Sequence, residues 1–327
     1  MFKKISLAIS FMMVSLLLLT PTMNAYDNIN GINEEIIKTI KIDDEITIQK
    51  NQDGTVNKIE NASLTDNQQR SILKEMNFTE EEIEEMNPSQ KEELATNGGV
   101  KVDSETKLVQ YFNSMSGIKY LVTDENRAEI EALRQLEANE LSKQTGKEIQ
   151  IGPLVNAGSV KDGIFSAKGS VIYQGKSANA KEFQYRYHDS FRWAGTPKIT
   201  HTDTIAHAWQ SHSTSYAKGG NTTTTVVGNA KNFETLTVTN EGVYGSAAKI
   251  KFNTLFQEKT GYIYNDVRIP VSNKGNTGKF VAKYAHPWTV LQPSLTIGPV
   301  GVSFGGFVGD EWQWETTYTI TSDPNGL

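Results

Sequence analysis

Four of the chain's five histidines, His188, His201, His207 and His212, fall within 25 residues, together with Asp189 and Asp203. If residues 200–209 form a strand, His201, Asp203, His207 and Trp209 share one face. If a helix begins after Asp203, then Asp203 and His207 stack at i,i+4. Either geometry would offer imidazole nitrogen and carboxylate oxygen to one divalent ion, so His201, Asp203 and His207 are the candidate metal ligands. Their spacing matches no established motif, and there is no His-Glu-x-x-His. The alternative is that Asp203 caps a short helix while the histidines bond to threonines and backbone. A Ser/His/Asp hydrolase can also be assembled on paper from Ser190, Ser211 or Ser213, His207 or His212, and Asp189 or Asp203. No Gly-x-Ser-x-Gly elbow accompanies these residues. The acids of the C-terminal half cluster only at Asp310, Glu311 and Glu315, which is thin ground for a carboxylate pair in glycoside hydrolysis. No phosphate loop, dinucleotide fingerprint or EF-hand loop is present, so no cofactor is expected beyond a divalent metal at the histidine cluster.

All five tryptophans also lie beyond residue 190. Trp193 and Trp209, in a polar segment, and His212 are the candidate ligand-binding residues, since exposed indoles can stack on sugars. Trp312, Trp314, Thr316, Tyr318 and Ile320 alternate at period two, the pattern of a core-facing strand.

The elements that must position these residues divide the chain in two. Residues 26–150 hold 26 acidic and 14 basic side chains, whereas 151–327 hold 12 and 16, so a net charge of −6 conceals an acidic module and a mildly basic one. Gly146, Gly152, Pro153 and Gly158 mark the boundary. In the acidic module, Glu45–Lys50 and Thr55–Glu60 read as strands around an Asn51-to-Gly54 turn. Three capping boxes, Thr65-x-x-Gln68, Thr79-x-x-Glu82 and Ser89-x-x-Glu92, predict three short helices, the last stopped by Gly98-Gly99. Leu64, Ile72, Leu73, Met76, Phe78, Ile83, Met86 and Leu94 would form their core. A hairpin over 108–122 and a helix over 124–144, with Ile130, Leu133, Leu136 and Leu141 at helical spacing, complete the module. Beyond residue 151 the period changes to two: short strands at 183–187, 235–239, 249–252, 262–264, 280–284 and 312–320 are separated by Gly/Asn turns. The fold class is therefore α+β: a small acidic α+β module over 26–150, then an antiparallel β-sandwich or barrel over 151–327.

Residues 1–25 read as a signal peptide, with Lys3 and Lys4 before the apolar Ile5–Leu19 run and Pro21 ahead of Asn24-Ala25. The expected location is outside the cell. With no cysteine there is no disulfide framework, thiolate metal site or cysteine nucleophile. The acidic balance argues against nucleic acid as a partner.

The stretches Asn77-Phe-Thr-Glu-Glu-Glu-Ile-Glu-Glu-Met, Glu93-Leu-Ala-Thr-Asn-Gly-Gly99, Tyr120-Leu-Val-Thr-Asp-Glu-Asn-Arg127 and Thr200-His-Thr-Asp-Thr-Ile-Ala-His-Ala-Trp-Gln210 resemble segments of uncharacterised secreted two-domain proteins of Gram-positive bacilli. That resemblance brings no activity. Leu73-Lys-Glu-Met-Asn-Phe78 is similar to the Met-Gly-Phe turn of ubiquitin-associated three-helix domains, with Asn77 in place of the glycine, and implies at most a fold.

Three readings follow. The first is a non-enzymatic binding protein of the cell envelope or exterior, meeting an envelope glycan or another cell surface, whose acidic module masks or assists the basic β half. The second is a membrane-active toxin using the Thr-rich tract from Asn221 and the uncharged tract 287–309 as hairpins. The third is a metal-dependent hydrolase at His201, Asp203 and His207.

Overall fold

A computed structural model describes residues 36–60, 63–152, 154, 161–162, 165–252 and 255–324. The expected signal peptide, Pro153 and Gly158 lie outside the described residues.

Two antiparallel sheets face each other. The first runs β11 (Lys231–Thr235), β10 (Thr214–Thr225), β14 (Glu258–Pro270), β8 (Glu182–Trp193), β7 (Phe165–Lys176) and β3 (Val100–Lys101), with β6 (Lys161–Asp162) also on β7. The second runs β12 (Thr239–Asn240), β13 (Gly245–Ile250), β9 (Asp203–Trp209), β15 (Thr277–Pro287), β18 (Gly309–Thr319), β4 (Ser104–Asn113) and β5 (Lys119–Leu121). Hairpins β1 (Ile36–Lys41)/β2 (Thr47–Asn51) and β16 (Ser294–Gly298)/β17 (Gly301–Gly305) stand apart. Helices α1 (Asp66–Glu75), α2 (Glu80–Glu85), α3 (Pro88–Asn97) and α4 (Arg127–Thr145) lie before residue 150. The architecture is thus α+β with an antiparallel sandwich.

The sandwich interior is aromatic because alternate residues of each long strand point inward. Phe165 stacks on Trp312 with centroids 4.3 Å apart, and Trp193 meets Trp312 edge-on at 5.5 Å. Trp312, Trp314, Thr316, Tyr318 and Ile320 are all buried, as their period predicts.

The acidic half is woven into these sheets. β3 pairs with β7, and β4 pairs along nearly its whole length with β18, so strands from before residue 150 complete both sheets. Helices α1 to α3 pack with the predicted core of Leu64, Ile72, Leu73, Met76, Phe78, Ile83 and Leu94, which Ile172 of β7 joins from the sheet. Thr65 and Thr79 form their capping boxes. The third helix starts earlier than Ser89: Asn87 caps it by accepting from the Gln90 amide at 2.8 Å, and Pro88 takes the first helical position, where a missing N–H costs nothing. Asn77 holds φ +69°, the left-handed turn that its place in the Met-Asn-Phe sequence suggests.

The first hairpin also differs from expectation. Asp43 accepts from the amides of Glu45 and Ile46 and turns the chain there, so β1 pairs with β2, and Val56 makes only isolated bridges to Lys50 and Gly99. The predicted 235–239 strand is split, with residues 236–238 lying between β11 and β12. Leu136 of α4 is exposed, while Ile130 and Leu141 are buried.

Parts of the two tracts considered for membrane hairpins are taken up in sheet packing, while Val227, Val290 and Leu291 remain exposed. Thr222 and Thr223 are buried in β10. From β17 and the residues after it, Val302, Phe304 and Phe307 pack onto a face of small residues, Ala206, Ala208, Ala247 and Ala285, on the second sheet.

Candidate functional site

Strand β9 turns Asp203, Ile205, His207 and Trp209 into the sandwich, as the period-two reading requires, but the metal-ligand candidates do not converge. Asp203 binds His286 of β15, with Nδ1 at 2.9 Å and 3.0 Å from its two oxygens. His207 binds Asp189 of β8 through Nδ1 at 2.7 Å. His201 precedes the strand and is only partly buried. Among the described residues no group of three His, Cys, Asp or Glu side chains could hold a metal ion. Each buried carboxylate has instead taken one imidazole. Burial pushes the Asp203 carboxyl up; for His286, burial pulls the imidazole down, but the charge of Asp203, its hydrogen bond and the charge of Asp310 together outweigh it and the net direction is up.

The ligand platform does not form either. Trp193 is 3% and Trp209 1% exposed, both packed in the core rather than presented to solvent. Trp193 donates to the Tyr284 hydroxyl at 3.1 Å, and Trp209 meets the edge of His207. His212 lies in the turn between β9 and β10, where partial burial lowers its pKa. An indole that alternates into a sheet interior is worth more as buried area than as an exposed shelf.

The structure does assemble a serine, a histidine and an aspartate, with a serine that the sequence did not single out. Asp189 accepts from His207 Nδ1 and from Trp314 Nε1, the latter at 2.6 Å. His207 Nε2 lies 3.0 Å from Ser246 Oγ and 2.7 Å from Asn265 Oδ1. Asn265 in turn donates to Ser215 at 2.7 Å. Asp189, His207, Ser246 and Asn265 are each 0% exposed. All four are sealed from solvent, so a substrate carbonyl has no approach to the Ser246 hydroxyl in this arrangement. Because Asp189 and Asn265 belong to the first sheet and His207, Ser246 and Trp314 to the second, the network is a polar clamp between sheets. Burial raises the Asp189 carboxyl, against the pull of His207 and Trp314. The acids Asp310 and Glu311 are also engaged, Asp310 by the buried Arg134 of α4 at 2.8 Å and 3.1 Å, and Glu311 by Lys119 and Lys283.

A cleft of about 810 Å³ lies between the acidic helices and the outer face of the first sheet. Its walls include Glu82 and Glu84 of α2 on one side and Lys168, Arg192 and Lys231 on the other. Its floor is rich in hydroxyls, from Ser166, Ser170, Ser190, Thr223, Thr225 and Thr260. Thr223 is 3% exposed, and its hydroxyl has no hydrogen-bond partner among the described residues. Glu82 bridges the cleft, meeting Lys168 at 2.5 Å and Lys101 at 2.8 Å. Outside the cleft lining, Glu93 of α3 meets Arg186 of β8, which also grips Asp266 at 2.6 Å and 2.9 Å. Burial works against the Glu82 charge, yet the two lysines hold its carboxyl below the usual range. The charge asymmetry of the sequence was the one signal that pointed here, because the outward-facing serines and threonines of a strand carry no motif.

On the same sheet face, His188 stacks on Tyr262 with centroids 4.8 Å apart, and its Nε2 is buried without a partner. Burial, with the Arg186 charge second, brings its pKa down to about 3. Above the unfolded value of 6.5 the ring is neutral in both states and the stability is intact. As pH falls below that value, the unfolded chain takes up a proton that the folded chain refuses, and stability drops by about 1.4 kcal/mol per unit. His188→Phe is expected to unfold no more readily than the parent at pH 7 and to lack this slope between pH 6 and 4. Urea midpoints measured across that range check it.

No family model matches the chain, and no curated protein matches it. Among solved structures it is similar to the collagen-binding subdomain of the Enterococcus faecalis surface protein ACE, at 9% identity over 37% of this chain and 84% of that chain, with a TM-score of 0.25. The collagen-binding domain from a Staphylococcus aureus adhesin aligns at 9% identity over 46% and 94% respectively, with a TM-score of 0.24. The Clostridium perfringens NetB toxin in its membrane-inserted form aligns at 6% identity over 66% and 97%, with a TM-score of 0.23. Likenesses of this size carry neither fold nor function to this chain.

Proposed function

We propose that the chain is a non-enzymatic binding protein of the cell envelope or exterior, in which the acidic helices cover a cationic sheet face until a partner competes for it. The observation that supports this most is the set of charge pairs between the helices and the sheet, Glu82 with Lys168 and Lys101 across the cleft, and Glu93 with Arg186 beside it. Carboxylates on the covering helices occupy the positions that the anionic groups of a partner would take. Lys168, Arg192 and Lys231 above a floor of hydroxyls suit an anionic polyhydroxylated polymer such as an envelope glycan.

The double variant Glu82→Gln/Glu93→Gln removes the covering charges and leaves the cations. It is expected to bind an immobilised anionic polysaccharide about tenfold more tightly than the parent, with the gain lost in high salt. Equal binding by the two proteins, measured by biolayer interferometry, would contradict the proposal.

A further inference from the structure

Strand register gathers four loops at one end of the sandwich. Residues 226–230 turn β10 into β11 beyond the Thr225–Lys231 pair, and the Gln257 amide donates to the Thr225 carbonyl at 2.8 Å, bringing 251–252 and 255–257 alongside. The Thr196 hydroxyl donates to the Phe256 carbonyl at 2.8 Å and accepts from its amide at 2.7 Å, which adds 194–202. Gln292 donates to the Thr202 carbonyl and accepts from Lys249, each at 3.0 Å, which adds 288–293.

These loops present Val227, Leu255, Val290 and Leu291 at 77%, 76%, 78% and 60% exposure. Single exposed aliphatics are ordinary, but four from three adjoining loops at one end mark a surface that meets something. Lys198 and Lys251 from the same loops are exposed and in no ion pair among the described residues. Convex aliphatic tips flanked by cations match the interface of an anionic bilayer. There the side chains enter the acyl boundary while the ammonium groups stay level with the phosphates. A protein partner would need a concave apolar surface for the tips and would have no use for the flanking cations.

We infer that this end of the sandwich docks on an anionic lipid surface. The surface is separate from the helix-covered face, and the inference goes beyond the proposed binding function. The test is flotation of the full chain with vesicles of phosphatidylcholine alone or mixed with phosphatidylglycerol. Any contribution from the apolar N-terminal tract is common to parent and variants.

The parent is expected to float with the mixed vesicles. Leu255→Ser/Leu291→Ser and Lys198→Gln/Lys251→Gln should each weaken this about tenfold while leaving the melting temperature unchanged, since all four side chains are exposed. No flotation, equal flotation with neutral vesicles, or variants that float like the parent would overturn the inference. Polysaccharide binding by the same variants is expected to be unaltered, so failure here and failure of the proposed function are read separately.

Discussion

Asp189→Ala is expected to lower the free energy of unfolding by about 3–5 kcal/mol, since each of two buried donors left without its acceptor costs roughly 1–3 kcal/mol. The carboxylate accepts from His207 and Trp314 in an interior with no solvent, so its loss leaves two donors of the second sheet facing a void. Ser246→Ala should cost only about 1 kcal/mol, because Asn265 still serves His207 Nε2. Urea denaturation of the two variants gives that order if the network is a clamp between sheets. A catalytic network would instead make Ser246 the residue that matters for activity while leaving stability almost untouched.

Arg186→Met should be comparably costly, again about 3–5 kcal/mol. Its guanidinium is 3% exposed, lies 4.0 Å above the Tyr264 ring, and satisfies Asp266 and Glu93 at once. Methionine fills part of the space but leaves two carboxylates facing each other. Adding Asp266→Leu should recover part of the loss, since an apolar pair replaces an uncompensated charge. The variant also separates two consequences: Asp266 and Arg186 form one pair within the continuous β14–β8 ladder, whereas Glu93 ties α3 to the sheet through Arg186. Amides of α1 to α3 should therefore lose hydrogen-exchange protection more than those of β8, because the strand keeps neighbours on both sides.

Local rules made much of this fold legible. Capping side chains and helical spacing located α1, α2 and the shared core around Ile72 and Leu73, and period-two alternation put Trp312 and Trp314 inside. The start of α3 was missed because Asn87 and Pro88 compete with Ser89 for the cap, and the asparagine wins with the proline behind it. Pairing of β4 with β18 spans some 200 residues, and nothing local in either strand records its partner. The histidine cluster failed as a site for a related reason. Its residues do share a strand face, as the spacing implied, but that face looks into the sandwich, where Asp189 and His286 arrive from other strands and divide the ligands between them. The cleft is made from outward hydroxyls and charges whose meaning appears only when the acidic helices settle above them, and regional charge was its only trace.

The central claim, that the acidic helices cover a cationic binding face and yield it to a partner, can be measured as a distance. The chain has no cysteine, so spin labels at Glu81→Cys on α2 and Ser211→Cys in the β9–β10 turn report without background. Double electron–electron resonance should give one narrow distance for the protein alone. Adding the anionic polysaccharide to the Glu82→Gln/Glu93→Gln background should produce a second, longer population. A single unchanged distance in a sample shown to bind the polysaccharide would contradict the account.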